Sequence, residues 1–166
     1  TREHPNLRLD DVVRVRIPPG GEGARTKLLE NDLLISITAD LGIVGCVPSG
    51  LGEAYINQHI ALARVLEPAV LPRWVAHALA SPYGARQIAR LNDGGAKAGL
   101  NLPTIRALQV PKPRPELQLG VTAVLDAMDA EIASELACAE KLRRLKQGLS
   151  DDLLSGQGGV PRKPGS

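Results

Sequence analysis

Phenylalanine is absent from this chain of 166 residues, and the only aromatic rings besides histidine are Trp74, Tyr55 and Tyr83. A core must then be built from Leu, Ile, Val and Ala, and few rings remain on which unpaired bases could stack, which disfavours single-stranded nucleic-acid binding. Cysteine is equally scarce. Cys46 and Cys138 stand far apart, with no CxxC and no histidine at ligand spacing, so neither a zinc site nor a disulfide framework is indicated and a reducing cytoplasm is expected. No apolar run approaches the ~18 residues that a membrane-spanning helix needs, and no signal-peptide pattern is present, so a soluble protein without a membrane partner is expected. Enzyme signatures are missing too: there is no GxxxxGK[ST] phosphate loop, no Asn-Pro-Pro-Tyr or Asp-Pro-Pro-Tyr run, and no GxSxG elbow, while the glycines at 20, 21 and 23 do not complete a GxGxxG after a strand. No catalytic residue, metal or cofactor is therefore expected.

What is present is an uneven distribution of charge. The net charge of +2 conceals a middle segment, 64–114, with 8 Lys+Arg against 2 Asp+Glu, a balance of +6, flanked by segments that are each −2. Around it, short apolar runs alternate with turn residues. The alternation VVRVRI (12–17) reads as a half-buried strand, NDLLISI (31–37) and GIVGCV (42–47) as a hairpin around TADL, and the run from Ala54 to Val65 as a further strand. LPRWVAHALA (71–80), with proline at the first helical position, predicts a helix, and Ser81-Pro82 opens a second in which Arg86 and Arg90 stand four apart on one side. A glycine loop (92–101) carrying Lys97 follows, then a short helix, a brief strand and a proline-stiffened linker in LPTIRALQVPKPRP.

From Pro115 to Gly156 the composition changes. About 40 residues run without an interior proline, which as a helix would be roughly 60 Å long. Leu125, Met128, Ile132, Leu136, Ala139, Leu142, Leu145, Leu149 and Leu153 step by three or four, the coiled-coil period, so the helix is expected to need a partner helix. Acidic residues (Asp126, Asp129, Glu131, Glu135) fill its first half and basic ones (Lys141, Arg143, Arg144, Lys146) follow, a distribution that suits antiparallel pairing. The ending QGGVPRKPGS reads as a disordered tail.

Two groups of side chains invite a functional reading. Asn57, Gln58 and His59 form a polar knot inside an otherwise apolar run; catalysis there would need a nucleophile or carboxylate aligned with His59, and the neighbouring sequence supplies neither, so these groups are expected to satisfy hydrogen bonds within the domain. Arg86 and Arg90, with Lys97 in the glycine loop and Asn101 after it, have the chemistry for contacts to phosphates or base edges of double-stranded DNA.

Taken in order, NDLLISITADLGIVG, AYINQHIALARV, WVAHALASPYGARQI, GGAKAGLNLPTIRALQVPKP and AEKLRRLKQGLSDDLLSG resemble the specificity subunits of type I restriction-modification systems over about residues 28–156. The resemblance implies an α/β target recognition domain over 1–113, shortened at its front, a conserved coiled-coil dimerisation and spacer helix over 114–156, and a tail over 157–166. It also implies that the chain is one repeat of a larger two-repeat design, that it reads double-stranded DNA, and that it docks methyltransferase and restriction subunits that do the chemistry. A homodimer through Leu125, Met128, Ile132, Leu136, Leu142, Leu145 and Leu149 is expected, and Asn57, Gln58 and His59 are expected to be structural. Where the family usually shows a glycine after the first hairpin strand this chain has Ala39, and its glycine loop has Ala96 where Thr or Ser is common. The competing expectation is a helical adaptor derived from such a subunit that no longer reads DNA.

Overall fold

The computed structural model describes residues 5–7, 9, 14, 26–92 and 99–155. Apart from Arg14, the expected strand over 12–17 lies outside the described residues, as do residues 93–98 of the glycine loop, with Lys97 and Ala96, and the tail. By compactness the chain divides into two units, 1–125 and 126–166. Among the described residues the architecture is mixed α/β: a small antiparallel sheet, three shorter helices and one helix of 40 residues.

The first unit is organised by three strands, β1 (Leu33–Ser36), β2 (Val44–Cys46) and β3 (Ile60–Ala63), in the order β2-β1-β3. β1 and β2 form the expected hairpin, with Leu33 opposite Cys46 and Ile35 opposite Val44. Side chains alternate along β1, so Leu33 and Ile35 are buried while Leu34 and Ser36 are partly exposed. The hairpin loop is closed by Ser36, whose hydroxyl donates to the Asp40 carbonyl and accepts from the Ile43 N–H at 2.8 Å. Within that loop Ala39 adopts φ 54° and Gly42 φ 74°. The left-handed conformation at Ala39 gives a physical reason for a glycine at this position, because only glycine occupies that region without a Cβ clash.

The third strand is shorter than the sequence predicts. Only Ile60–Ala63 pairs with β1, with Ile60 opposite Ser36 and Ala63 opposite Leu33. Tyr55 makes an isolated antiparallel bridge to Lys27, and Gln58 and His59 form a turn. The physical reason is local: Asn57 Oδ1 accepts the His59 N–H at 3.0 Å, a side-chain turn that competes with strand pairing for the same backbone donor.

Two helices cover the sheet. α1 (Pro72–Ala80) packs on β2 and on α2 (Pro82–Asn92). Between them Ser81 receives the Tyr83 N–H on its hydroxyl and donates to the Ala78 carbonyl, stopping one helix and starting the next within a single residue. The approach is so close that a Cβ at Gly84 would stand 2.0 Å from the Leu79 carbonyl oxygen. The core consists of Leu33, Ile35, Val44, Cys46, Ala61, Ala76, Leu79, Ile88 and Leu100, aliphatic apart from one thiol, as the composition requires.

After α3 (Leu102–Arg106) the expected brief strand is absent. Residues 107–114 are instead held by side chains. The Gln87 carboxamide donates to the Gln109 carbonyl (2.8 Å) and accepts the Gln109 N–H (2.9 Å), in the manner of a strand neighbour, and the Trp74 indole donates to the Pro111 carbonyl at 2.8 Å. α4 (Pro115–Leu154) then begins, and its first turns belong to the first unit. Gln118 is fully buried: its oxygen accepts the Leu71 N–H at 2.9 Å, and its nitrogen donates to the carbonyls of Ala69 (3.0 Å) and Pro113 (2.7 Å). One carboxamide thus joins the loop before α1, the proline linker and the root of the long helix.

Replacing Gln118 by leucine orphans one N–H and two carbonyls, and unfolding in urea should show a loss of about 2–4 kcal/mol. Ala39→Gly should act in the opposite direction, raising stability by about 0.5–1 kcal/mol in the same measurement, because relief of the left-handed strain exceeds the added chain entropy.

Candidate functional site

The +6 segment separates into committed and free charges once its side chains are placed. Arg64 donates from Nε to Asp32 Oδ1 at 2.6 Å and from Nη2 to Oδ2 at 2.7 Å. Arg73 bonds the Asn6 side chain and the Pro5 carbonyl, and Lys112 stands 3.4 Å from Glu67. Arg86, Arg90, Arg106 and Arg114 are exposed and have no anionic partner among the described residues. Arg86 and Arg90 are positioned by α2, whose opposite side buries Gly84 and Ile88 against the core. A helix that buries residues 84 and 88 must present 86 and 90 to solvent, since two residues along an α-helix is about 200° of rotation.

Asn101 is the N-cap of α3. Its Oδ1 accepts both the Thr104 N–H and the Thr104 hydroxyl, each at 2.9 Å, which leaves only its amide nitrogen for any ligand. A bidentate contact to adenine needs the oxygen and the nitrogen together, so Asn101 can make it only by breaking the cap. Its other service is structural: it starts the short helix from which Arg106 projects.

The polar knot is an exposed turn, not a buried element. Asn57, Gln58 and His59 are all exposed. His59 Nδ1 lies 2.9 Å from Thr38 Oγ1, and its Nε2 lies 3.2 Å from Gln58 Nε2. The His59–Thr38 pair ties the loop of the β1–β2 hairpin to the turn before β3, a role completed by the Ile37 N–H donating to the His59 carbonyl at 2.9 Å.

A cleft of about 390 Å3 lies between residues 27–30 and the loop 47–53. Two of its lining groups pair, with Lys27 3.6 Å from Glu53, and the nearby Tyr55 hydroxyl donates to Glu53 at 2.5 Å. That hydrogen bond, with the Lys27 charge, holds the Glu53 carboxyl below its ordinary range and raises the Tyr55 phenol.

In the second unit, Met128, Ile132, Leu136, Leu142, Leu145, Leu149 and Leu153 are each more than half exposed on α4, while Leu125, at the end of the first unit, is partly buried. Glu140 is paired within the helix, with Arg144 at 3.0 Å and Arg143 at 3.9 Å. No described helix is long and apolar enough to cross a membrane, because charged residues interrupt every stretch of α4.

Sequence reasoning missed Asp32, Gln87 and Gln118. Asp32 had a readable signal in a lone carboxylate before an apolar strand, whereas Gln87 and Gln118 are ordinary helix-surface residues until the linker packs on them. Comparison with known proteins adds no assignment: no family model matches the chain, and no curated protein matches it.

Asp32 is 1% exposed. Burial pushes its carboxyl upward, but the Arg64 hydrogen bonds, the Leu29 N–H at 2.7 Å and the Arg64 charge outweigh that and hold it below its ordinary value of 3.8. A carboxylate with a depressed folded pKa contributes stability that is complete above its unfolded value and disappears as pH falls through the folded one. Urea midpoints measured from about pH 6 down to about pH 2 should therefore fall below pH 4 in the native chain, and Asp32→Asn should be less stable at neutral pH with a flatter profile.

Proposed function

We propose that this chain is a DNA-sequence recognition subunit of a type I restriction-modification system, whose first unit binds double-stranded DNA and whose long helix docks partner helices. The observation that carries the DNA reading is the set of guanidinium groups in the 64–114 segment with no anionic partner among the described residues, above all Arg86 and Arg90 on the exposed side of α2. Exposed guanidiniums with no carboxylate partner among the described residues are suited to phosphate oxygens, and each phosphate they neutralise releases condensed counterions. Arg106 and Arg114 supply further positive potential, and Lys97, in the glycine loop, completes the expected contact set. Base reading is assigned to loop side chains entering the major groove. The resemblance in five ordered segments supports the same reading and assigns catalysis to methyltransferase and restriction subunits, with no catalytic residue or cofactor in this chain and a cytoplasmic location.

A second reading has its own observation. The apolar seam of α4 is a protein-docking feature that requires no DNA, so a helical adaptor that has lost DNA reading would retain it.

Fluorescence anisotropy on random duplex separates the two. Under the first reading the affinity falls steeply between about 50 and about 200 mM salt, and Arg86→Ala with Arg90→Ala flattens the logarithmic salt slope by about 2 while circular dichroism stays unchanged. A folded chain that shows no salt-sensitive binding is the adaptor. Leu142→Asp and Leu149→Asp should each abolish self-association read by light scattering while leaving the first unit folded.

A further inference from the structure

Three asparagines of the first unit use the same half of the side chain in the same way. Asn57 Oδ1 accepts the His59 N–H at 3.0 Å, Asn92 Oδ1 the Gly99 N–H at 3.0 Å and Asn101 Oδ1 the Thr104 N–H at 2.9 Å. A backbone N–H can be met only by the carboxamide oxygen, so the orientation of each side chain is fixed and its NH2 group is left over. These Nδ2 groups make no hydrogen bond among the described residues. Asn57 and Asn101 are exposed and Asn92 is half-buried. The three come from distant parts of the chain, and the fold gathers them around the hairpin loop at one end of the sheet. The backbone of Ile37, just past β1, is the junction: its N–H donates to the His59 carbonyl at 2.9 Å and its carbonyl accepts the Leu100 N–H at 3.2 Å. The turn that holds Asn57 and the segment that enters the Asn101 cap are therefore both tied to this loop. The loop also rests on α2, where a Cβ at Gly42 would stand 2.7 Å from Ile88 Cδ1, one helical turn before Asn92. The same last turn of α2 carries Arg90.

We infer that this loop cluster is a sequence-independent clamp on the duplex backbone, in which Asn57, Asn92 and Asn101 donate through Nδ2 to phosphate oxygens, an assignment that rests on the DNA reading above and adds contact residues to it. The ligand class follows from the donors. Base edges in the major groove mix donors with acceptors, and a carboxamide reads adenine there with its oxygen and its nitrogen together. Phosphate oxygens only accept, and asparagine side chains are among the groups that meet them in protein–DNA contacts. Carboxamides whose oxygens are all committed to backbone N–H groups match the second surface and not the first. Fixing each oxygen also removes rotamer freedom before the ligand arrives, so less ordering falls on binding. The contacts carry no charge. They add affinity without adding counterion release, which stays with Arg86 and Arg90, and they add it equally for every base sequence.

Fluorescence anisotropy of the whole chain on random-sequence duplex is the test, because a backbone clamp requires no knowledge of the target site. N57S, N92S and N101S each keep an oxygen for the backbone N–H, serine being about equal to asparagine in caps and side-chain turns, and each withdraws the NH2 group. Each should raise the dissociation constant about fivefold and the triple variant about fiftyfold or more, with circular dichroism unchanged and the logarithmic salt slope equal to that of the native chain. A side chain that serves only as a cap predicts no change in binding. The loss should be the same on an AT-rich and on a GC-rich duplex. A second readout needs no substitution: titrating duplex into the isotope-labelled native chain should shift the side-chain amide resonances of Asn57, Asn92 and Asn101 and leave in place that of Asn31, which is exposed before the start of β1. Native dissociation constants in the serine variants, a loss confined to one of the two duplexes, or unmoved amide resonances each overturn the inference. Failure of the native chain to bind any duplex removes the proposed function together with the clamp, whereas salt-sensitive binding that the serine variants retain in full removes the clamp alone.

Discussion

The buried carboxylate of Asp32 is the constraint around which the first unit is arranged. It sits where the chain enters β1, it receives two hydrogen bonds from Arg64 just beyond β3, and it accepts the Leu29 N–H that closes the preceding turn. Its own carbonyl takes the Val47 N–H at 2.9 Å, so the end of β2 is attached to the same residue. A charge that is 1% exposed is tolerated only because each carboxylate oxygen is satisfied. The Arg64 side chain remains 44% exposed and supplies its charge from the solvent side, which limits the desolvation that a fully buried pair would carry. With an aliphatic core of small volume and a sheet of three short strands, this polar junction sets the strand register that hydrophobic contacts alone would leave loose.

The route from that sheet to the long helix runs through carboxamides. Gln87 substitutes for a strand neighbour at Gln109, Trp74 holds Pro111, and Gln118 gathers the backbone on both sides of α1. Prolines at 111, 113 and 115 cannot donate hydrogen bonds, so the linker has few backbone groups with which to anchor itself and depends on side chains that reach across to it. The consequence for function is that α2, which carries Arg86 and Arg90, and the segment leading to Arg114 are held in one unit by Gln87.

Charge counting and charge placement give different pictures of the basic segment. Arg64 contributes to the +6 total but is consumed by Asp32, Lys112 is balanced by Glu67, and Arg73 is turned toward Pro5 and Asn6. What remains is a smaller, sharper set of guanidiniums, and it is this set, not the net charge, that bears on an anionic ligand. The same distinction applies on α4, where Glu140 is neutralised within its helix and Glu135 and Lys146 are not.

The sequence by itself determined the hairpin, the two helices joined at Ser81-Pro82 and the 40-residue helix with its apolar stripe, because these depend on local periodicity, proline placement and capping, which act within a few residues. It misjudged the run 54–65, where the alternation of apolar residues was overridden by the Asn57 side chain competing for the His59 N–H, and it expected a strand near Gln109 where a glutamine side chain stands in for one. Which charges are free, what Asp32 and Gln118 hold together, and that His59 meets Thr38 were decided only by the tertiary structure. Those properties belong to pairs of groups 21 to 49 residues apart, and no local pattern encodes a contact that exists only after the chain has closed on itself.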